Sequence, residues 1–268
     1  MDSEKIKQGI KTTFDDVSER YDSSRFFRLS AQKMVDMLAL KAGMRVLDIS
    51  TGTGMVAIEM AKKLPNIQIE AVDLSAGMLA QAKRKARCEG IQNITFIQGD
   101  VEALPYDDGT FDVITCGYGM FFYPEMEKTY QMLCQKLKEG GQIIFSSFTK
   151  EAFSPYVDLF LQRLEKDHQI EIPKISMERL KTEQQMRALA ELSNPQHIEV
   201  ANHPIRYSVT VDEWWELLNN AGYKGLINQL SCDALKQFKQ RHLAEVDAIA
   251  IKGSFELNAD TLFCLVRR

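Results

Sequence analysis

The chain has 268 residues, 45% hydrophobic and 26% charged, with a formal net charge of −4; this supports one globular unit with an elaboration, or at most two small domains. A mildly acidic balance argues against nucleic acid as a partner, since a large footprint there needs a basic face. The charged start MDSEKIKQGIK has no signal-peptide core, no stretch nears the roughly 18 apolar residues of a membrane span, and five scattered cysteines (Cys88, Cys116, Cys134, Cys232, Cys264) contain no CxxC pair, so a cytoplasmic protein without disulfides or zinc is expected.

Residues 4–20 carry Ile6, Ile10, Phe14 and Val17 at helical spacing, and a second helix is predicted from about Phe26 to Leu40. Together they read as a hairpin covering a sheet or a lid over a ligand. Ala42-Gly43 breaks the chain. Val46, Leu47 and Ile49, with Asp48 among them, then read as a buried parallel strand leaving a sheet. Ser50-Thr51-Gly52-Thr53-Gly54 is a tight turn, and helix 55–64 follows it to Leu64-Pro65-Asn66. Ile67–Val72 is the second strand, ending at Asp73; Ser75 caps the next helix, and Gly90 stops it. Strands are predicted at Ile94–Ile97, closing on Gly99-Asp100, at Phe111–Cys116 and at Gln142–Phe148, with a helix from Pro124 to about Leu137. The remainder reads as mostly helical: Phe153–Leu164, Leu180–Leu192, Val211–Ala221 and Leu235–Ile249, with strand texture at Ile198–Val209 and Thr261–Arg268. Loop Glu165–Ser176 is expected to be a mobile crossover.

Alternating strands and helices predict right-handed βαβ units and a doubly wound, mostly parallel α/β sheet. One sheet of seven strands is expected, in the order 3-2-1-4-5-7-6 with the last strand antiparallel. The expected division is a helical lid at 1–40, a ligand-binding core at 41–150, and a helical cap plus final strands at 151–268.

A strand, a glycine turn and a helix in succession cradle nucleotide-like ligands: glycine lets the backbone approach, and the helix start offers free N–H groups. Gly52-x-Gly54-x-x-Ala57 with Asp73 satisfies the dinucleotide fingerprint, so an NAD-dependent oxidoreductase is one reading. Asp48 at the turn entry would repel a pyrophosphate and suits a cationic ligand. Asp100, with neighbouring N–H groups, suits an adenine edge.

In order and spacing, Asp48-x-x-x-Gly52-x-Gly54, Val72-Asp73-Leu74-Ser75-x-x-Met78-Leu79, Gly99-Asp100-Val101-Glu102-x-Leu104-Pro105, Phe111-Asp112-Val113-Ile114 and Leu137-Lys138-x-Gly140-Gly141 resemble class I S-adenosylmethionine-dependent methyltransferases. The nearest look is to the ubiquinone/menaquinone C-methyltransferase branch. The resemblance implies S-adenosylmethionine as cofactor and S-adenosylhomocysteine as product. It implies that Asp48, Ser50, Thr51 and Gly52, with Gly54 shaping the turn, line the methionine half. Asp73 would accept the ribose hydroxyls, Leu74 and Met78 would sandwich adenine, and Asp100 and Val101 would read its edge. Cys116 and Gly117 would lie beside the methionine amine, and Tyr21 of the lid would reach the carboxylate. Ser50 departs from the glycine usual there. A member of the fold that binds cofactor without methylating is a further alternative.

Methyl transfer needs alignment and desolvation more than dedicated side-chain chemistry, so the sequence says little of the nucleophile. Tyr118 and His203 are the base candidates. Phe14, Tyr118, Phe122 and Trp214 are expected at the acceptor, a small and largely apolar molecule. No acidic cluster has metal-binding spacing, and none is expected to bind a divalent ion.

Overall fold

The computed structural model describes residues 3–172 and 178–268. Helices α1 (Ser3–Val17) and α2 (Arg25–Met37) open the chain, joined through a 3-10 turn at Tyr21–Ser23. The alternating half follows: β1 (Arg45–Ile49), α3 (Met55–Lys63), β2 (Gln68–Asp73), α4 (Ala76–Cys88), β3 (Ile94–Gln98), β4 (Phe111–Gly117), α5 (Met126–Lys136) and β5 (Leu137–Phe148). Then come α6 (Tyr156–His168), α7 (Glu183–Glu191), β6 (His197–His203), β7 (Arg206–Thr210), α8 (Val211–Asn219), α9 (Lys224–Ile227), α10 (Cys232–Ile249), β8 (Ser254–Asn258) and β9 (Thr261–Arg267).

Seven strands form one sheet in the order β3-β2-β1-β4-β5-β9-β6. This is the expected order, with β9 as the seventh strand. β1 pairs in parallel with β2 on one side and β4 on the other, and β9 runs antiparallel between β5 and β6. The winding reverses between β1 and β4, so a crevice opens at their C-terminal ends, where ligands of such sheets bind. From Val46 onward β1 is buried, as a strand covered on both faces must be. One apolar layer joins α5 and α7 to the sheet through Tyr130, Leu133, Met186 and Phe145. The opposite layer packs Met34 and Val35 of α2 and Met60 of α3 against Ile144 and Leu265. A third core fills the cap, around Phe160, Trp214, Phe238 and Phe255.

A second, two-stranded sheet of β7 and β8 corrects the expectation of a single sheet. The apolar texture read as one strand over Ile198–Val209 is cut at Pro204, which cannot donate to a ladder. The next residues turn away: the Ile205 N–H donates to Asp260 at 2.9 Å, and Arg206 pairs with the same carboxylate at 2.8 Å. β8 hides Phe255 and Leu257 on one face, and Phe255 stacks on Tyr156 of α6 with ring centroids 3.6 Å apart. The expected loop Glu165–Ser176 begins as helix, since α6 runs through His168; residues 173–177 lie outside those described.

Candidate functional site

The glycine turn leaves β1 with left-handed backbone at Ser50 (φ 49°), Gly52 (φ 56°) and Gly54 (φ 78°). A Cβ on Gly54 would stand 2.9 Å from Ala82 Cβ of α4, so only glycine lets the turn pack there; a Cβ on Gly52 would point into open space above the turn. The Gly52 N–H donates to Asp73 Oδ2 at 2.7 Å, and the Ser75 N–H donates to Oδ1 at 2.8 Å. Burial pushes the Asp73 carboxyl above the usual carboxylate range, against the pull of those N–H groups. Each oxygen keeps a lone pair for a ligand hydroxyl. Asp48 is fully buried and accepts from Thr51 at 2.5 Å and Thr115 at 2.6 Å; burial lifts its carboxyl to about 6.

Above the turn lies an open cleft. Its floor is Ser50, Gly52, Asp73, Leu74 and Met78, and one end is Gly99, Asp100 and Val101. Lys7, Ile10, Phe14 and Tyr21 overhang it from the N-terminal helices, facing Gly117, Tyr118, Phe122 and Tyr123. A smaller recess beside it shares Tyr21, Ser50, Gly52, Gly117 and Tyr118, and adds Asp48, Thr51, Phe27 and Ser30. Gly54 and Cys116 stand behind these walls.

The N-terminal segment is tied to the core by two acids and a lysine. Asp15 accepts from Ser75 Oγ at 2.5 Å and from the Gly77 N–H at 3.0 Å, capping α4 from outside. Asp22 bonds Thr53 at 2.5 Å and Lys85 at 2.6 Å. Lys7 pairs with Asp100 and Glu102. Only glycine at 77 permits this approach, because a Cβ there would lie 2.7 Å from Ser18 Oγ.

Two residues expected at the site stand elsewhere. His203 ends β6, the outer strand, four places from β1 in the sheet order; its ring faces Phe263, and burial lowers its pKa. Trp214 is wholly buried in the cap, donating to His242 Nε2 at 2.9 Å. Tyr118 lines the cleft, but its hydroxyl bonds Thr261 at 2.7 Å, and burial pushes its phenol above the ordinary value. Sequence reasoning missed Lys7 and the contact of Tyr123 with Ser50. Lys7, Lys11 and Asp15 recur every four residues and so share one helix face, a signal that was present for Lys7. For Tyr123, whose hydroxyl lies 3.0 Å from Ser50 Oγ, no local signal exists.

A doubly wound sheet of this order, with acids closing β1 and β2 and a third just past β3 around a glycine turn, defines a class I S-adenosylmethionine-dependent methyltransferase. The residues present fit that cofactor: the empty space over Gly52 admits a ligand, and the Asp73 and Asp100 carboxylates line the cleft beside it. The chain belongs to the ubiE/COQ5 methyltransferase family, whose sequence profile matches residues 1–165. It is 32% identical to the demethylmenaquinone methyltransferase of Thermus thermophilus over 160 residues, covering 56% of this chain and 72% of that one. It is 31% identical to the ubiquinone/menaquinone biosynthesis C-methyltransferase UbiE of Idiomarina loihiensis over 152 residues, covering 54% of this chain and 61% of that protein's length. The YcgJ protein of Bacillus subtilis shares the fold at a TM-score of 0.60 and 21% identity, covering 90% of this chain and 98% of its own. The NAD reading of the glycine turn is not favoured by this membership. Among the described residues no cluster of His, Cys, Asp and Glu could hold a metal, and no helix is long and apolar enough to cross a membrane.

Proposed function

We propose that this chain methylates a small, largely apolar ring compound of quinone type, at carbon, inside the cleft above the β1 turn. The observation that carries the reading is one continuous cleft, in which the acids Asp73 and Asp100 run directly into an apolar wall of Ile10, Phe14 and Phe122. The names of the relatives support the ring class. In this reading Asp73 accepts the ribose hydroxyls, Leu74 and Met78 flank adenine, and Asp100 and Val101 read its edge. Asp48, Ser50, Thr51, Gly52 and Gly117 surround the methionine half, with Tyr21 above it and Cys116 behind the wall. Residues 1–40 serve as lid, 41–150 as cofactor core and 151–268 as cap and final strands.

The cofactor supplies an electrophilic methyl on a cationic sulfur. The chain holds the acceptor carbon in line with it and excludes water. A hydroquinone is the form suited to attack, because its oxygens push electron density onto the ring carbons. Transfer of that methyl to the ring carbon would leave the electron pair of the broken carbon–sulfur bond on the departing cofactor, and the ring proton would pass to solvent at the open mouth of the cleft. Burial keeps the Tyr21, Tyr118 and Tyr123 phenols protonated, so they act as hydrogen-bond donors here. The test is incubation with methyl-labelled S-adenosylmethionine and 2-prenyl-1,4-naphthohydroquinone under reducing conditions. A ring-methylated product with matching S-adenosylhomocysteine is expected. Cofactor binding with no labelled product from this or related hydroquinones overturns the reading.

A further inference from the structure

Residues 117–124, linking β4 to α5, form the cleft wall opposite α1. Tyr123 reaches back from this wall to Ser50, hydroxyl to hydroxyl at 3.0 Å across 73 positions of sequence. The wall is held in place. Arg179 donates to the Tyr123 carbonyl at 2.8 Å and the Pro124 carbonyl at 3.3 Å, and Phe122 meets Phe14 edge-on at 5.5 Å.

Ser50 is an awkward residue for its place. Its φ of 49° lies in the left-handed region that glycine adopts freely and serine does not. Its side chain also forbids one on Gly119, where a Cβ would lie 2.5 Å from Ser50 Cβ. Glycine at 50 would relieve both constraints. What the serine makes in return is the bond to Tyr123, and both residues line the cleft. Strain kept at a site is an invitation to ask what it serves.

Proton counting gives the answer. Two hydroxyls carry two protons, and their mutual bond uses one. Burial pushes the Tyr123 phenol well above its ordinary value, so it stays protonated. No further partner takes the second proton among the described residues. The other polar groups overhanging the cleft are largely committed: Lys7 to Asp100 and Glu102, Lys11 to Asp15, and Tyr118 to Thr261. One donor is therefore left beside the apolar surface of Phe14 and Phe122.

We propose that the Tyr123–Ser50 hydroxyl pair anchors the acceptor, donating its free proton to an oxygen on the ring that is methylated. The pair is a specificity-determining and positioning element. It selects an oxygenated ring over a hydrocarbon of the same shape and fixes the ring's rotation against the turn. The ring itself is taken from the function proposed above.

The test measures binding to the complex with S-adenosylhomocysteine, using 1-naphthol and its isostere 1-methylnaphthalene as probes. The wild type should bind the naphthol about tenfold more tightly, the size of one net hydrogen bond in a dry site. Tyr123→Phe should reduce that ratio to below about threefold, with affinity for S-adenosylhomocysteine within about twofold of wild type, and Ser50→Gly should reduce the ratio to the same extent. Ser50→Gly should melt no lower than wild type, which separates lost anchoring from lost folding. Loss of the naphthol preference in both variants while the hydroquinone goes unmethylated would sink the proposed reaction and keep the anchor. An unchanged ratio in both variants, or a loss confined to S-adenosylhomocysteine binding, overturns the proposal.

Discussion

Asp73 and Asp48 stand on neighbouring strands at the same end of the sheet, and burial lifts both carboxyls, yet they face different surroundings. Asp73 opens onto the cleft. Asp73→Ala should weaken S-adenosylhomocysteine binding by about 1.5–3 kcal/mol, the range for bonds to a charged acceptor, with the fold intact by circular dichroism. An unchanged dissociation constant would make Asp73 merely structural. Asp48 is enclosed, and its value of about 6 lies above the free value of 3.8. Its contribution to stability is therefore full below about pH 4 and is lost as pH rises through 6, by about 3 kcal/mol. Asp48→Asn removes that titration. The wild-type-minus-variant difference in unfolding free energy should fall from pH 4 to pH 7 in urea titrations, and a flat difference contradicts the burial argument. These acids were legible because a carboxylate ending an apolar run has a local signature. The Tyr123–Ser50 contact was not, since its partners lie 73 positions apart.

The element on which the cleft most depends is α1. Its burial is modest, with Val17 its one fully buried residue among those described, so its docking leans on polar ties. Asp15 is the central tie, because it caps α4 from across the gap. Asp15→Ala should cost about 1 kcal/mol, as the loss of a cap does, and should speed hydrogen exchange across residues 3–23 while the sheet amides stay protected. Unchanged exchange in that segment would show that the lid is held by apolar packing alone. The helical spacing of Ile6, Ile10 and Phe14 revealed the element, but not the ties beneath it, which are fixed by tertiary approach. The same limit applies to β7 and β8. Their pairing, Arg206 to Asn258 through Thr210 to Ser254, joins segments far apart in sequence, and neither stretch is long enough to declare itself.

At the scale of the molecule, the sheet was readable because each parallel strand carries its own apolar run and turn, and the βαβ handedness rule leaves few ways to order them. The cap was less so, since its core is assembled from distant helices. At its centre the His242 ring is wholly buried and accepts from Trp214, and burial lowers its value to about 4. That value lies below the unfolded 6.5, so its contribution is present above pH 6.5 and is lost as pH falls toward 4, by up to about 3 kcal/mol. Tryptophan fluorescence should report a cap that loosens over that window in wild type. His242→Gln, which keeps an acceptor for Trp214, should flatten the trend; an equal trend in the variant would place the titration elsewhere. All of this architecture converges on one claim, that the crevice between β1 and β4 holds S-adenosylmethionine. Calorimetric titration of the purified chain tests it most directly. The account predicts that S-adenosylhomocysteine binds at one site per chain and that NAD does not bind; saturable NAD binding without S-adenosylhomocysteine binding would contradict it.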